Sequence, residues 1–133
     1  MDKMQSVIKE VISLSSKAKI DSKKLFDEYV KLFFSQSCHK DFSNYSVDEL
    51  FNLVLSSFNF FSKRPSNQFK IKLYNPSNKV DGFETSYTIL DIVNDDMPFL
   101  VDSVIIQFEK LNIRIKNSIH PIFLAKRSKD GHI

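Results

Sequence analysis

Four carboxylates, Asp91, Asp95, Asp96 and Asp102, form the one acidic concentration in this 133-residue chain. Carboxylates so close together can hold a hard divalent cation through oxygen, or divide into a proton donor and a proton acceptor. Their spacing matches no calcium loop, and no histidine stands near them in sequence. The structural reading accounts for all four. Asp96, or Asp95, caps a following helix, Asp102 lies near the same positive helix end, and Asp91 alternates outward on a strand. Cys38-His39 offers a thiol beside an imidazole, but sequence neighbours seldom point at each other productively, and there is no second cysteine to complete a zinc site. His120, beside Pro121, is a secondary candidate for ligand contact. The sequence thus assigns no catalytic residue, no metal ligand and no cofactor-binding residue.

The elements that position these groups have two textures. Residues 1–64 read as a helical lead-in, and residues 65–133 as strands around one helix. Met4, Val7, Ile8, Val11 and Leu14 form one helical stripe. Asp21 is the expected cap of a second helix, with Ile20 packing on Leu25 as a staple and Phe26, Tyr29, Val30, Phe33 and Phe34 following at helical spacing. Ser46-Val47-Asp48-Glu49 has the form of a capping box, and Pro65 ends the third helix. Phe58, Phe60 and Phe61, with Phe33 and Phe34, exceed what one helix face can hide, which predicts an interface.

Beyond Pro65 the period becomes two. Phe69, Ile71 and Leu73 alternate with Lys70, Lys72 and Tyr74, as in a half-buried strand. Asn75-Pro76-Ser77-Asn78 and Asp81-Gly82 mark a loop. Thr88 to Val93 predicts a second strand. Met97, Leu100, Val101, Val104, Ile105, Phe108 and Leu111 predict an amphipathic helix with Pro98 in its first turn and Asn112 as a left-handed cap. A third strand is expected over residues 113–127, parallel to the second in a right-handed βαβ unit. Asp130-Gly131 is a hairpin signal with no partner strand after it, so the third strand is expected to keep an unpaired edge and the chain reads as a fragment.

Nineteen basic residues against sixteen acidic give a net charge of +3, too small and scattered to imply a nucleic-acid partner. Lys126, Arg127 and Lys129 read as a solvated strand end and turn. One cysteine favours a reducing, cytoplasmic setting, and no apolar stretch is long enough to cross a bilayer, so no membrane partner is expected.

The stretch from Ile92 to Val104, Ile-Val-Asn-Asp-Asp-Met-Pro-Phe-Leu-Val-Asp-Ser-Val, resembles the signature of the first ACT-like domain of the large bacterial NAD-specific glutamate dehydrogenases. Ile119-His120-Pro121, Leu73-Tyr74-Asn75-Pro76 and Ser46-Val47-Asp48-Glu49-Leu50 resemble further segments of that family, so the likeness covers about residues 40–133. It implies an α+β fold in which N-terminal helices precede a partial ACT-like, ferredoxin-like βαβ unit. It also implies amino-acid binding or assembly as the domain's role, with NAD and the catalytic region belonging elsewhere in the parent enzyme. Small regulatory ACT domains usually carry glycine after the proline, where this chain has Phe99. That departure disfavours a free amino-acid effector and favours packing or an interface.

The candidate contact loop is therefore Asn94, Asp95, Asp96, Met97, Pro98, Phe99 and Leu100. Two functions follow. One is a non-catalytic regulatory or assembly module whose partner is the rest of the dehydrogenase polypeptide, present here as a truncated or split piece. The other is a freestanding small-molecule-binding protein that completes its sheet as a homo-oligomer.

Overall fold

The computed structural model describes residues 3–17, 20, 22–37, 39–65 and 67–133. Three helices make the larger part of the core: α1 over Lys3–Leu14, α2 over Lys23–Phe33 and α3 over Val47–Phe61. Each forms because apolar residues recur at helical spacing behind a polar start. At α3 the capping box is present: Glu49 N–H donates to Ser46 Oγ at 3.1 Å and Ser46 N–H donates to Glu49 Oε1 at 3.0 Å. At α2 the cap is Ser22, whose Oγ accepts from Leu25 N–H. The expected cap, Asp21, lies outside the described residues, and Leu25, expected under a staple, is 38% exposed.

Val11, Phe26, Val30 and Val54 are fully buried where the three helices meet. The Phe26 ring meets Phe51 and Phe58 edge-on, with centroids 5.7 and 5.4 Å apart, the arrangement the ring quadrupole favours. The phenylalanine surplus is thereby absorbed within the chain, contrary to the interface expected from sequence. Phe33, Phe34 and Phe58 are buried, Phe61 lies against Phe123, and Phe60 lies under the Lys70 ammonium. Phe42 and Phe83, both in segments without apolar periodicity, are buried as well.

Strands β1, Lys70–Tyr74, and β2, Ile89–Val93, pair antiparallel with Ile71 opposite Ile92 and Lys72 opposite Asp91. Between them, residues expected as loop form the single turn α4, Asn78–Asp81, which ends at Gly82 in the left-handed region. The alternation along β1 is as expected, but the polar face meets the helices. Lys70 Nζ donates to Phe60 O at 2.8 Å and to Lys63 O at 2.7 Å, and the Tyr74 hydroxyl bonds Ser56 Oγ at 3.2 Å. The apolar face, Phe69, Ile71 and Leu73, is more than half exposed. Open carbonyls at the end of α3 draw the ammonium inward, and the pleat then sends its apolar neighbours outward.

Helix α5 spans Leu100–Lys110. It closes in a Schellman motif: Ile113 N–H bonds Phe108 O, Asn112 N–H bonds Glu109 O, and Asn112 takes φ 58° as expected. The expected third strand does not form. Residues 113–127 pair with neither β1 nor β2, so there is no parallel βαβ unit among the described residues. A strand requires a hydrogen-bonded neighbour, and this segment has packed instead on the helices, with Phe123 stacked on Tyr29 at 4.8 Å between centroids. The α+β class nevertheless holds. No helix among the described residues is long and apolar enough to cross a membrane.

The chain then turns back onto the end of α3. Arg127, expected to be solvated, donates to Phe61 O at 2.8 Å and to Gly131 O at 2.9 Å. Arg64 N–H donates to Gly131 O, and Ile133 N–H to Ser62 O. Thus the Asp130-Gly131 turn pairs with the exit of a helix, not with a strand. Gly131 has φ 87°, and a Cβ there would sit 2.2 Å from Arg64 O. Gly131→Ala is expected to cost roughly 1–3 kcal/mol, read as a lower denaturation midpoint. An unchanged midpoint would mean this clasp is open in solution.

Candidate functional site

The loop from β2 to α5 projects from the sheet and lines neither of the two best-formed depressions. Asn94 Nδ2 lies 3.6 Å from Met97 Sδ, and Leu100 N–H reaches Met97 O at 3.4 Å. Met97 is 55% and Phe99 76% exposed, and both aspartates are exposed. The helix starts later than its sequence promised. Its cap is Phe99, with no side-chain hydrogen bond, and Pro98 and Met97 precede it. Neither Asp95 nor Asp96 caps α5. Asp95 instead pairs with the Arg64 guanidinium, and the only carboxylate in the first turn is Asp102. Arg64 is 31 residues away in sequence, so no local signal marks this partnership.

Phe99 has φ 64°, a left-handed conformation that a side chain reaches only at a cost. Where the resembled pattern carries glycine, this chain takes the glycine geometry with a phenylalanine. The ring gains little from packing in return. Together Met97, Pro98 and Phe99 form an exposed apolar knob beside the Arg64–Asp95 ion pair.

His120 is exposed and stands on a shallow depression of about 70 Å³, with Leu32, Phe33, Gln36 and Pro121. It is not near the loop's cluster, and no hydrogen bond from its ring is present among the described residues. A wider polar cleft of about 260 Å³ has Tyr45, Glu49, Glu84, Tyr87 and Lys116 in its walls. Two of its three carboxylates already serve the fold, Glu49 as a cap of α3 and Glu84 by accepting from Asn78 at 3.2 Å, and the third is Asp41. The described residues contain no group of three histidine, cysteine, aspartate or glutamate side chains placed to hold a metal ion. Cys38 lies outside the described residues.

Sequence reasoning missed a polar seam under the sheet. Asp91, expected to point outward, faces inward with Lys72 across the ribbon and Tyr29 and Tyr74 nearby. Its Oδ2 is buried with no hydrogen-bonding partner among the described residues. Tyr29 bonds Ser57 at 2.6 Å, yet burial still pushes its hydroxyl up to about 12. Burial likewise raises the Asp91 carboxyl above its ordinary 3.8, and the Lys72 charge offsets only part of that. The one sequence signal was the Lys72–Asp91 charge pair across two alternating strands, visible only once register is known.

Two outcomes follow. Because Phe99 is strained and exposed, Phe99→Gly is expected to raise stability by about 0.5–1 kcal/mol in urea denaturation; a loss of that size would mean the ring packs in solution. For Asp91 the native carboxyl binds its proton more tightly than the unfolded one. The contribution of Asp91 to stability is therefore fully present below the unfolded pKa and is lost as pH rises through the raised native value. Asp91→Asn is expected to flatten that decline and to stabilise the fold at neutral pH. A wild-type stability that rises steadily with pH across the carboxylate range, unchanged in the variant, would contradict this.

The family described as glutamate dehydrogenase, ACT1 domain, matches residues 29–133. An NAD-specific glutamate dehydrogenase of Halomonas elongata is 27% identical over 119 residues, covering 90% of this chain and 7% of that protein. One of Pseudomonas aeruginosa is 23% identical over 105 residues, covering 79% of this chain and 6% of that protein. The chain thus spans less than a tenth of the length of either curated relative. No solved structure matches it. With the match running from the middle of α2 through the loop and α5 to the clasp, the chain belongs to the glutamate dehydrogenase ACT1 domain family.

Proposed function

We propose that this chain is a non-catalytic N-terminal regulatory and assembly module of an NAD-specific glutamate dehydrogenase. The observation that carries this reading is the ACT1 match over residues 29–133, joined to relatives many times longer than the chain. The parent reaction is oxidation of L-glutamate by NAD with water, which gives 2-oxoglutarate, ammonia and NADH, and we place it in the remaining polypeptide. The residues present do not fit NAD. A dinucleotide loop needs glycines where a strand passes into a helix, so that backbone can approach the pyrophosphate. The two glycines here are in separate turns, Gly82 after α4 and Gly131 in the clasp, and the β2–α5 junction holds Phe99.

The loop Asn94–Leu100 is the contact we assign to this role. Its exposed Met97 and Phe99 favour a protein surface over a free amino acid, since nothing encloses a small ligand there. The test is deletion of the matching segment from the Pseudomonas aeruginosa enzyme. The expected outcome is altered sedimentation or effector response, with kcat per active site held within about threefold because the deleted residues touch no reacting atom. Loss of turnover with assembly intact would place chemistry in this segment and sink the reading. Calorimetry of the chain with L-glutamate and other amino acids is expected to give no heat of binding at millimolar ligand.

A further inference from the structure

The segment between α5 and the clasp has an unusual backbone. Ile113 N–H closes α5 and Ser128 N–H bonds His132 O. Between them, no main-chain N–H or C=O of residues 114–127 has a hydrogen-bonding partner among the described residues. The segment also alternates. Ile119, Pro121 and Phe123 are partly covered, whereas His120, Ile122 and Leu124 turn outward, Ile122 at 64% and Leu124 at 105% exposure.

Water satisfies such a backbone, but the row of free donors and acceptors is a template for another strand. A helix has no main-chain groups left to offer it, so the fitting occupant is an extended chain. Charge narrows the choice further. Arg114, Lys116 and Lys126 are exposed, Arg127 is held by α3, and no aspartate or glutamate lies between residues 113 and 127. A second copy pairs badly: antiparallel about His120 it sets Arg114 against Lys126, and parallel in register it sets each cation against itself.

We propose that residues 114–126 accept, by strand addition, an extended segment that alternates apolar and acidic residues, contributed by the remaining dehydrogenase polypeptide. This rests on the reading of the chain as a module of that enzyme and names the surface by which it docks. Pro121 lacks an N–H, so pairing runs on either side of it. The carboxylates of the incoming strand lie on the outward face with Arg114, Lys116 and Lys126, their methylene stems against Ile122 and Leu124, and its apolar side chains take the inward face beside Ile119 and Phe123.

The test titrates the full chain with a blocked peptide of about ten residues alternating valine and glutamate, and with its valine–lysine counterpart, by fluorescence anisotropy and amide hydrogen exchange. The expected result is binding of the glutamate peptide about tenfold tighter than the lysine one, with exchange slowed over residues 114–126 and unchanged in β1 and β2. Leu124→Pro removes a free donor at a fully exposed position, and is expected to weaken binding about tenfold at an unaltered melting temperature. The triple change Arg114→Glu, Lys116→Glu, Lys126→Glu is expected to invert the preference. Equal affinity for both peptides, protection at Lys70–Tyr74 instead, or no binding of either at millimolar concentration overturns the proposal. Self-association that protects residues 114–126 overturns it in favour of a second copy. Neither free L-glutamate nor nucleotide enters this assay, so its failure is distinct from failure of the deletion experiment.

Discussion

The open carbonyls at the C-terminal end of α3 organise this molecule. A helix leaves its last carbonyls without intrahelical partners, and here cations from distant parts of the chain supply them. Lys70 takes Phe60 O and Lys63 O, and Arg127 takes Phe61 O. Bringing these groups together has a cost. Burial, then Arg127 and Lys63, lower the Lys70 pKa, and burial followed by Arg64 lowers that of Arg127. The partial negative charge of the helix end and the hydrogen bonds offset that repulsion. From this arrangement follow the inward polar face of β1, the outward face of Phe69, Ile71 and Leu73, and the course of the last residues.

That constraint also explains which features were legible in sequence. The capping box of α3 and the Schellman closure at Asn112 involve residues within five positions of one another, and both stand as read. The alternation of β1 was equally plain, but period two gives two faces and does not say which one a helix end will claim. Asp91 was turned the wrong way for that reason. Residues 113–127 have the composition of a strand, yet strand character depends on a neighbour, and the described residues provide none. Asp95 and Asp96 had every local attribute of a cap. Arg64 engaged Asp95, and the helix began later, at a residue no capping rule would nominate.

The candidate loop carries a bulky side chain where its backbone conformation favours glycine. Phe99 has a left-handed backbone immediately before α5, a conformation that glycine reaches at the least cost. A glycine allows a small ligand to approach the backbone; a phenylalanine blocks that approach and presents an aromatic ring. This chain belongs to the ACT1 family.

The closing of α3 by Arg127 spans 66 positions. During synthesis, α2 and α3, both rich in aromatic residues, emerge well before the residues that seal the end of α3. Until then, the Phe61 ring lacks Phe123 and its carbonyl lacks Arg127. The nascent chain must pass through a period in which its most apolar helix is present and incompletely covered. That interval is when a chaperone would find the most to hold.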